Sequence, residues 1–151
     1  MESKATFKPY LQLAVWVDIV ISMTGTRQKQ DYLFVSLIQK AKYYLNQRVG
    51  KITAKSNSVS KFIFYYLQSR HFREKIFEFE TGTVNQGNIS GKDIMNMLIP
   101  LPPLDIQTQT VAYLDALHLK ADALKKAQEK KKEALLALKA SLLESAFKGA
   151  L

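Results

Sequence analysis

The chain has 151 residues, of which 47% are hydrophobic and 23% charged, a composition that suits one folded domain and excludes a disordered chain. It contains no cysteine, which excludes disulfides, thiolate nucleophiles and cysteine-ligated metal clusters. Its 22 Lys and Arg residues outnumber its 13 Asp and Glu residues, and the net charge of +9 is typical of a protein that meets a polyanion. Of this excess, +7 lies in the first 103 residues and +6 within residues 25–55.

The sequence shows no targeting or membrane segment. The longest apolar stretches are too short, or interrupted by Asp18, to form the roughly 20-residue span of a membrane helix. The first residues also lack the apolar core of a signal peptide. We therefore expect a cytoplasmic protein with no membrane partner.

Strand signals begin near the N-terminus. Residues 11–21 and 32–37 are rich in β-branched and aromatic side chains, which predicts two strands, and residues 43–45 predict a third. Residues 97–101 predict a final strand. These strands must be combined with helices, because the intervening residues carry helical patterns.

Two helices are predicted between these strands. Residues 60–77 carry apolar side chains at helical spacing. Ser90 is placed to cap a short helix that runs through Met95, since a serine oxygen accepts backbone N–H groups of a first helical turn. Between them, residues 81–91 contain three glycines and two asparagines, which predicts a loop.

A long helix is predicted at the C-terminal end. Residues 104–147 contain neither glycine nor proline and are rich in good helix formers. Pro100, Pro102 and Pro103 form a hinge before it, and Gly149 follows where a C-terminal cap is expected. At about 1.5 Å per residue the helix is on the order of 60 Å long, so we expect it to pack on another long helix.

The predicted fold class is α/β, with a small mixed domain over residues 1–103 followed by one long coiled-coil helix over residues 104–151. With Leu114 as a heptad a position, residues at the a and d positions form a predicted dimer seam. The two polar members of this seam are expected to set its register at some loss of stability. The seam comprises Leu114, Leu117, Ala121, Leu124, Gln128, Lys131, Leu135, Leu138 and Leu142.

Catalytic motifs are missing from the sequence. His71 and His118 lie in no metal-binding pattern, and a surface position is the favoured interpretation for each. The glycines of residues 82–87 fit neither a dinucleotide-binding nor a P-loop fingerprint, so ordinary loop glycines are favoured. The sequence therefore predicts a chain that is not an enzyme and that holds no metal or cofactor.

Several segments occur in a recognisable order. Upstream are Asp18-Ile19-Val20-Ile21-Ser22-Met23-Thr24-Gly25-Thr26 and Leu45-Asn46-Gln47-Arg48-Val49-Gly50-Lys51-Ile52. Downstream follow Gly82-Thr83, Asn85-Gln86-Gly87-Asn88-Ile89-Ser90-Gly91-Lys92-Asp93-Ile94, Ile99-Pro100-Leu101-Pro102-Pro103-Leu104, Gln107, Val111, Leu114-Asp115, Ser141-Leu142-Leu143 and Ala146-Phe147-Lys148-Gly149. This ordered series resembles the DNA-specificity subunits of type I restriction-modification enzymes, the HsdS family.

The chain departs from that family in three respects. The hinge is followed by Ile106-Gln107-Thr108-Gln109, where the family usually has Glu-Gln and a basic residue. The end reads Gly149-Ala150-Leu151 instead of Gly-Glu-Leu. Family subunits also carry two recognition domains and two long helices. The resemblance is therefore to a half-subunit or a truncated fragment, with a recognition domain that is incomplete at its N-terminus.

The resemblance implies sequence-specific recognition of double-stranded DNA by a non-catalytic subunit. It implies partners as well: DNA methyltransferase (modification) subunits and a restriction subunit, which would use S-adenosylmethionine, Mg²⁺ and ATP. A second copy of the chain would supply the missing helix, so a homodimer and a palindromic split target are expected. The alternative is a truncated interaction module that no longer binds DNA and docks through its coiled-coil helix.

The candidate DNA-binding residues are cations and amides of the predicted domain. Lysine contacts phosphates, whereas arginine, asparagine and glutamine can also read base edges. A solvated surface charge is an equal interpretation for each lysine, and turn formation is an alternative for the asparagine-containing segments. Core packing is favoured over base stacking for the aromatic residues Phe62, Phe64, Tyr65, Tyr66 and Phe72. The DNA-binding candidates are Arg27, Lys29, Gln47, Arg48, Lys51, Lys55, Asn85 and Gln86.

Overall fold

The computed structural model describes residues 13–14, 18–38 and 43–149, and the elements named here lie within those ranges. The strands are β1 (Leu13–Ala14), β2 (Ile19–Ser22), β3 (Thr24–Gly25), β4 (Val35–Leu37), β5 (Tyr43–Tyr44), β6 (Val49–Ile52), β7 (Thr81–Gly82) and β8 (Gly87–Asn88). The helices are α1 (Ser60–Gln68), α2 (Arg70–Phe77), α3 (Gly91–Asn96) and α4 (Leu104–Phe147). This is the mixed α/β fold with a long C-terminal helix that the sequence predicts.

Three small antiparallel sheets are formed by these strands. In the first, β2 lies between β4 and β6, and Ile19 faces both Leu37 and Ile52. In the second, β8 lies between β3 and β7, and Gly87 faces both Gly25 and Gly82. The third sheet pairs β1 with β5.

One residue joins the first two sheets. The Met23 N–H donates to the Arg48 carbonyl at 2.9 Å, and the Met23 carbonyl accepts from the Ile89 N–H at 2.9 Å. The turn that precedes β6 and the residue that follows β8 therefore both meet the chain between β2 and β3.

The hydrophobic core lies between the β4–β2–β6 sheet and the helices α1 and α2. Side chains of β2 alternate, so that Ile19 and Ile21 are fully buried while their neighbours are half-buried. Phe72 and Ile76 of α2 are fully buried in the same core. Of the five aromatic residues above, Phe72, Phe64 and Tyr66 belong to this packing, as the favoured interpretation expects.

The single helix predicted over residues 60–77 is wrong at Ser69. This residue has an extended backbone, with φ −65° and ψ 147°, and its hydroxyl oxygen accepts from the Phe72 N–H at 3.2 Å. Ser69 therefore ends α1 and caps α2. The apolar spacing continues across the break, which is why the sequence pattern does not reveal it.

The predicted strands are partly corrected. The prediction over residues 11–21 is met by β1 and β2 where the structure describes it, and that over 43–45 by β5. In residues 32–37 only β4 is a strand, because Leu33 has φ 62° and cannot continue an extended chain. The strand over residues 97–101 is wrong, since this segment pairs with no described strand. The short strands β3, β6, β7 and β8 are additional to the prediction, and two of them interrupt the loop predicted over residues 81–91.

The helix ends follow the sequence signals. The Ser90 hydroxyl accepts from the Asp93 N–H at 3.1 Å, and the Asp93 carboxylate accepts from the Ser90 N–H at 3.2 Å, which makes a capping box for α3. Beyond α4, Gly149 has φ 69° and donates its N–H to the Ala146 carbonyl at 3.1 Å. Both predicted caps are confirmed.

The chain divides into two compact units, one up to Val111 and one from Ala112 onward. Within the first unit, the buried amide of Gln107 accepts from the Val59 N–H at 2.8 Å and donates to the carbonyls of Pro102 at 2.7 Å and Asn57 at 3.2 Å. These bonds tie the first turn of α4 to the hinge and to the segment before α1. Among the described residues, no helix is long and apolar enough to cross a membrane.

Candidate nucleic-acid interface

Two exposed turns leave the β3–β8–β7 sheet at the same end. The strand register pairs Gly25 with Gly87 and Gly82 with Gly87. The segment after β3, residues 26–31, and the turn between β7 and β8, residues 83–86, therefore emerge side by side. They carry four of the candidate residues, all exposed: Arg27, Lys29, Asn85 and Gln86.

The first of these turns is held by its own acidic residue. The Asp31 carboxylate accepts from the Thr26 N–H at 2.6 Å. This hydrogen bond lowers the pKa of Asp31 below its ordinary value, and the charge of Lys29 acts in the same direction. The turn therefore keeps a carboxylate at its base and exposes its cations above it.

Arg27 is anchored from behind by a buried chain of polar groups. Its Nε donates to Glu80 Oε2 at 3.1 Å, and the hydroxyl of the buried Tyr32 donates to Glu80 Oε1. The Glu80 side chain is 11% exposed and that of Arg27 is 44% exposed. Burial, and then the hydrogen bond to Glu80, raise the pKa of Tyr32 far above its ordinary value, so the hydroxyl stays a donor.

Glycines make room for this chain of groups. A Cβ at Gly87 would clash with Glu80 Oε1 and the Tyr32 hydroxyl, and a Cβ at Gly25 would lie 2.8 Å from both Asp31 Oδ1 and Tyr32 Cβ. Close approach of the Asp31, Tyr32 and Glu80 side chains, rather than a phosphate site, therefore explains the glycines at positions 25 and 87. Gly82 differs, since its φ of 123° is favourable only for glycine.

The turn of residues 83–86 is short and presents amide side chains. The Thr83 N–H donates to the Gln86 carbonyl at 2.9 Å, which closes the turn. The side chains of Asn85 and Gln86 are exposed beside the Arg27 turn.

A second candidate turn lies beside Met23. The Asn46 Oδ1 accepts from the Arg48 N–H at 2.9 Å, so Asn46 forms the turn, as the alternative interpretation of this segment expects. Gln47 and Arg48 are exposed on it. This turn meets the β3–β8–β7 sheet through the Met23 hydrogen bonds described above.

The two remaining lysines have different surroundings. Lys51 Nζ lies 3.4 Å from Oδ2 of Asp18, whose side chain is buried and also accepts from the Thr53 hydroxyl at 2.7 Å. Lys51 thus compensates a buried carboxylate, because an uncompensated buried charge is costly. Lys55 is exposed beyond the far end of β6, which is about 13 Å long, and so is not gathered with the turn residues.

Arg73 is a residue that the sequence patterns do not single out. Its guanidinium donates to the carbonyls of Gln30 at 3.0 Å, Tyr32 at 3.1 Å and Leu33 at 3.4 Å, and its Cζ lies 5.2 Å from the centre of the Phe77 ring. It holds the chain where Gln30 and Leu33 have positive φ. In the sequence, Arg73 occupies an ordinary polar position of an amphipathic helix. Only its hydrogen bonds show that it holds the segment from Gln30 to Leu33 in place.

The family comparison identifies the fold. The family model for the type I restriction modification DNA specificity domain matches residues 19–134. The chain belongs to this family. The match spans the elements from β2 to the middle of α4, and therefore includes the candidate turns.

Relatives of this specificity family agree with the match. The type I restriction enzyme MjaVIII specificity subunit of Methanocaldococcus jannaschii is 31% identical over 106 residues, which is 70% of this chain and 24% of the relative. Among solved structures, a chain from work on complex assembly and conformational transition of the type I R-M system matches with TM-score 0.73 and 25% identity, over 94% of this chain and 33% of that one.

The HsdS subunit of Thermoanaerobacter tengcongensis matches with TM-score 0.64 and 25% identity, over 94% of this chain and 32% of that one. The resemblance deduced from the ordered sequence segments is therefore confirmed. The chain spans about a quarter of the length of the curated relative and about a third of the solved chains.

The predicted seam of this specificity-domain chain lies along α4. Its apolar members Leu117, Leu124, Leu135, Leu138 and Leu142 are exposed, and Leu114 is half-buried. Ala121, Gln128 and Lys131 are exposed as well. Leu143 and Ala146 widen the apolar surface near the C-terminal end of the helix.

Acidic and histidine side chains are scattered in the part of the chain that the structure describes. That part contains no group of three or more His, Asp or Glu residues able to hold a metal ion. His118 Nε2 lies 3.6 Å from Asp122 on the exposed surface of α4, and His71 is exposed on α2.

Proposed function

We propose that this chain reads DNA sequence for a type I restriction-modification system. The observation that carries the proposal is the meeting of two turns about 55 residues apart in sequence, at residues 26–31 and 83–86, at one end of one sheet. One turn offers cations and the other offers amides, which are the groups that contact phosphates and base edges. Family membership supports the same role.

The exposed candidate residues other than Arg27 divide by their chemistry into two roles. Lys29, Arg48 and Lys55 are exposed cations suited to phosphate contacts, which supply affinity without sequence information. Asn85, Gln86 and Gln47 are exposed amides suited to hydrogen bonds with base edges. Lys51 would act mainly through Asp18, by keeping β2 and β6 together beneath the binding surface.

Selection from a random duplex library tests this proposal. The purified chain is mixed with the library at near-physiological salt, with and without the modification subunit, and bound duplexes are sequenced. Enrichment of a short motif supports the proposal. Binding that vanishes as salt rises, with no enriched motif, would contradict sequence reading, because phosphate contacts alone have that behaviour.

The domain assignment follows from this role. Residues 1–103 would form the recognition domain, and residues 104–151 the helix for dimerisation and subunit docking. The chain itself would be non-catalytic and would act in the cytoplasm, where its DNA target lies. Methyl transfer and cleavage, with S-adenosylmethionine, Mg²⁺ and ATP, would belong to the methyltransferase and restriction subunits.

Self-association through α4 completes the proposal. The exposed leucines of the seam would be covered by the same helix of a second copy, in a two-fold symmetric interface. Antiparallel helices would place two identical recognition domains at opposite ends and so give a palindromic split target. Analytical ultracentrifugation at micromolar concentration should show a dimer, and a monomer there would contradict this part of the proposal.

A second candidate function is an interaction module that docks through the seam and does not bind DNA. The apolar surface of α4 favours it, because docking alone would account for that surface. This function predicts a complex with the modification subunit that forms normally and a chain with no salt-sensitive affinity for duplex DNA. The library selection above separates the two.

A further inference from the structure

We infer that Arg27 is the residue that specifies a guanine, and that Glu80 and Tyr32 are positioning residues that orient its guanidinium. The inference rests on the proposed DNA-reading function and deepens it. It starts from one geometric fact: among the exposed cations of the candidate turns, Arg27 is the one whose head group is anchored by a carboxylate that is itself held by a buried hydroxyl.

The anchor uses only one edge of the guanidinium. Nε is bonded to Glu80 Oε2, and in the part of the chain that the structure describes neither Nη atom donates a hydrogen bond. The two Nη groups can therefore donate together to the O6 and N7 acceptors of a guanine in the major groove. An arginine whose rotation is already restricted loses less entropy on forming such a pair.

The same anchor makes Arg27 a poor phosphate ligand. Glu80 lies 3.1 Å from Nε and cancels the formal charge of the pair, so a phosphate would be attracted to one group and repelled by the other. The acceptors on a guanine edge carry no formal charge, so this repulsion does not act against them. Lys29, in the same turn, is the better phosphate ligand because it is a flexible point charge.

The support behind Glu80 reaches into the core. The Tyr32 ring is fully buried and lies edge-on against Phe77, with ring centres 5.2 Å apart. Gly87 leaves the space that the Glu80 carboxylate and the Tyr32 hydroxyl occupy. The position of the carboxylate, and through it that of the Arg27 head group, is therefore set by β8 and by the packing of Tyr32.

The test is duplex selection with the full chain and matched variants. Arg27→Lys keeps the charge and removes the bidentate fork, so we expect the preference for one guanine in each half-site to fall about 10- to 100-fold, with little change in affinity for random duplex. Arg70→Lys is the matched control, since Arg70 is an exposed arginine that pairs with Glu74 on α2, outside the candidate turns, and its motif should be unchanged.

Two further variants test the positioning role. Glu80→Gln keeps the size of the side chain and removes its charge, so discrimination for guanine should fall roughly 3- to 10-fold while affinity for random duplex rises. A parallel loss of affinity for the selected motif and for random duplex would indicate a merely structural role and would overturn the assignment of Glu80. Tyr32→Phe keeps the ring and should reduce discrimination less than Glu80→Gln does.

The outcomes distinguish this inference from the proposed DNA-reading function on which it rests. A wild-type motif that survives Arg27→Lys unchanged overturns the role of Arg27 and leaves sequence-specific binding intact. A wild-type chain that enriches no motif contradicts both. Thermal unfolding of each variant, followed by circular dichroism, shows whether a lost preference merely reflects a lost fold.

Discussion

The N-terminal α/β domain and the long helix α4 differ in where their stability comes from. In the domain, even polar side chains make internal hydrogen bonds: Asp18 and Tyr32 are buried and hydrogen-bonded. In α4, the first turn supplies its one buried residue, Gln107, and the leucines from Leu117 onward are exposed. The comparison teaches that the domain is held by its own contacts, whereas the helix carries exposed apolar surface, which the proposed second copy would cover.

Breaking the proposed partner contact should have the largest effect. Leu138→Lys places a charge in the seam of both copies, and each buried leucine is worth about 1.5 to 3 kcal/mol. We therefore expect dimerisation to weaken by at least about 3 kcal/mol per dimer, or roughly 100-fold in Kd. Sedimentation equilibrium measures this. Leu119→Lys, at an exposed position outside the seam, is the control, and an equal loss in both variants would contradict the seam.

Removing the amide that ties α4 to the domain should cost nearly as much. Gln107→Ala leaves the Val59 N–H and the carbonyls of Asn57 and Pro102 without their partner. The free energy of unfolding should fall by about 2 to 3 kcal/mol, since the Val59 N–H and the Pro102 carbonyl belong to half-buried residues and an unsatisfied group costs about 1 to 3 kcal/mol. Urea unfolding monitored by tyrosine fluorescence measures the change. Gln109→Ala, on the exposed side of the same turn, should be neutral.

Arg73 gives a smaller effect within the domain. Arg73→Met removes three hydrogen bonds that hold the chain near Gln30 and Leu33, while the methionine keeps contact with Phe77. We expect the free energy of unfolding to fall by about 2 kcal/mol, as is typical of hydrogen bonds from a charged donor. Arg70→Met is the matched control on the same helix, because among the described residues Arg70 makes only an exposed ion pair with Glu74. An equal fall in the free energy of unfolding in both variants would mean that the positive charge of α2, and not the three hydrogen bonds of Arg73, stabilises the domain.

The smallest expected effect is a titration. The Asp31 carboxyl should titrate below its ordinary value of 3.8, because its charged form accepts the Thr26 N–H. A carboxyl with a lowered folded pKa stabilises the turn fully above the unfolded pKa, and this contribution is lost as pH falls through the folded pKa. Carbon-detected NMR of the carboxyl resonance measures the value. A midpoint at or above 3.8 would show that the hydrogen bond does not persist in solution.

The sequence predicts the parts of the fold that depend on local signals. The absence of glycine and proline from residues 104–147 predicts α4, Ser90 predicts the cap of α3, and Gly149 predicts the end of the last helix. The break at Ser69 and the two-residue strands are not predicted. Helical spacing continues through the break, and strands of two residues are too short to show an alternating pattern.

The candidate site shows the same division. Its residue types could be selected from the sequence, because cations and amides in basic, glycine-containing segments are suited to nucleic acid. The different surroundings of these residues could not be predicted from the sequence. Lys51 and Lys55 look alike in sequence, yet one faces a buried carboxylate and the other faces solvent. Arg27 and Arg48 look alike as well, and only the pairing of β3 and β7 with the two sides of β8 places Glu80 behind the first.

By itself, the sequence determined the α/β class, the long helix with its heptad spacing, the basic charge of the domain and, through ordered motifs, the family. These properties depend on composition and on neighbours within a few residues. Only the tertiary structure decided which turns meet, which lysine is paired and which arginine is anchored. Those relations join residues about 30 to 55 positions apart, and they arise from strand register and from the need of buried polar groups such as Asp18 and Tyr32 for partners.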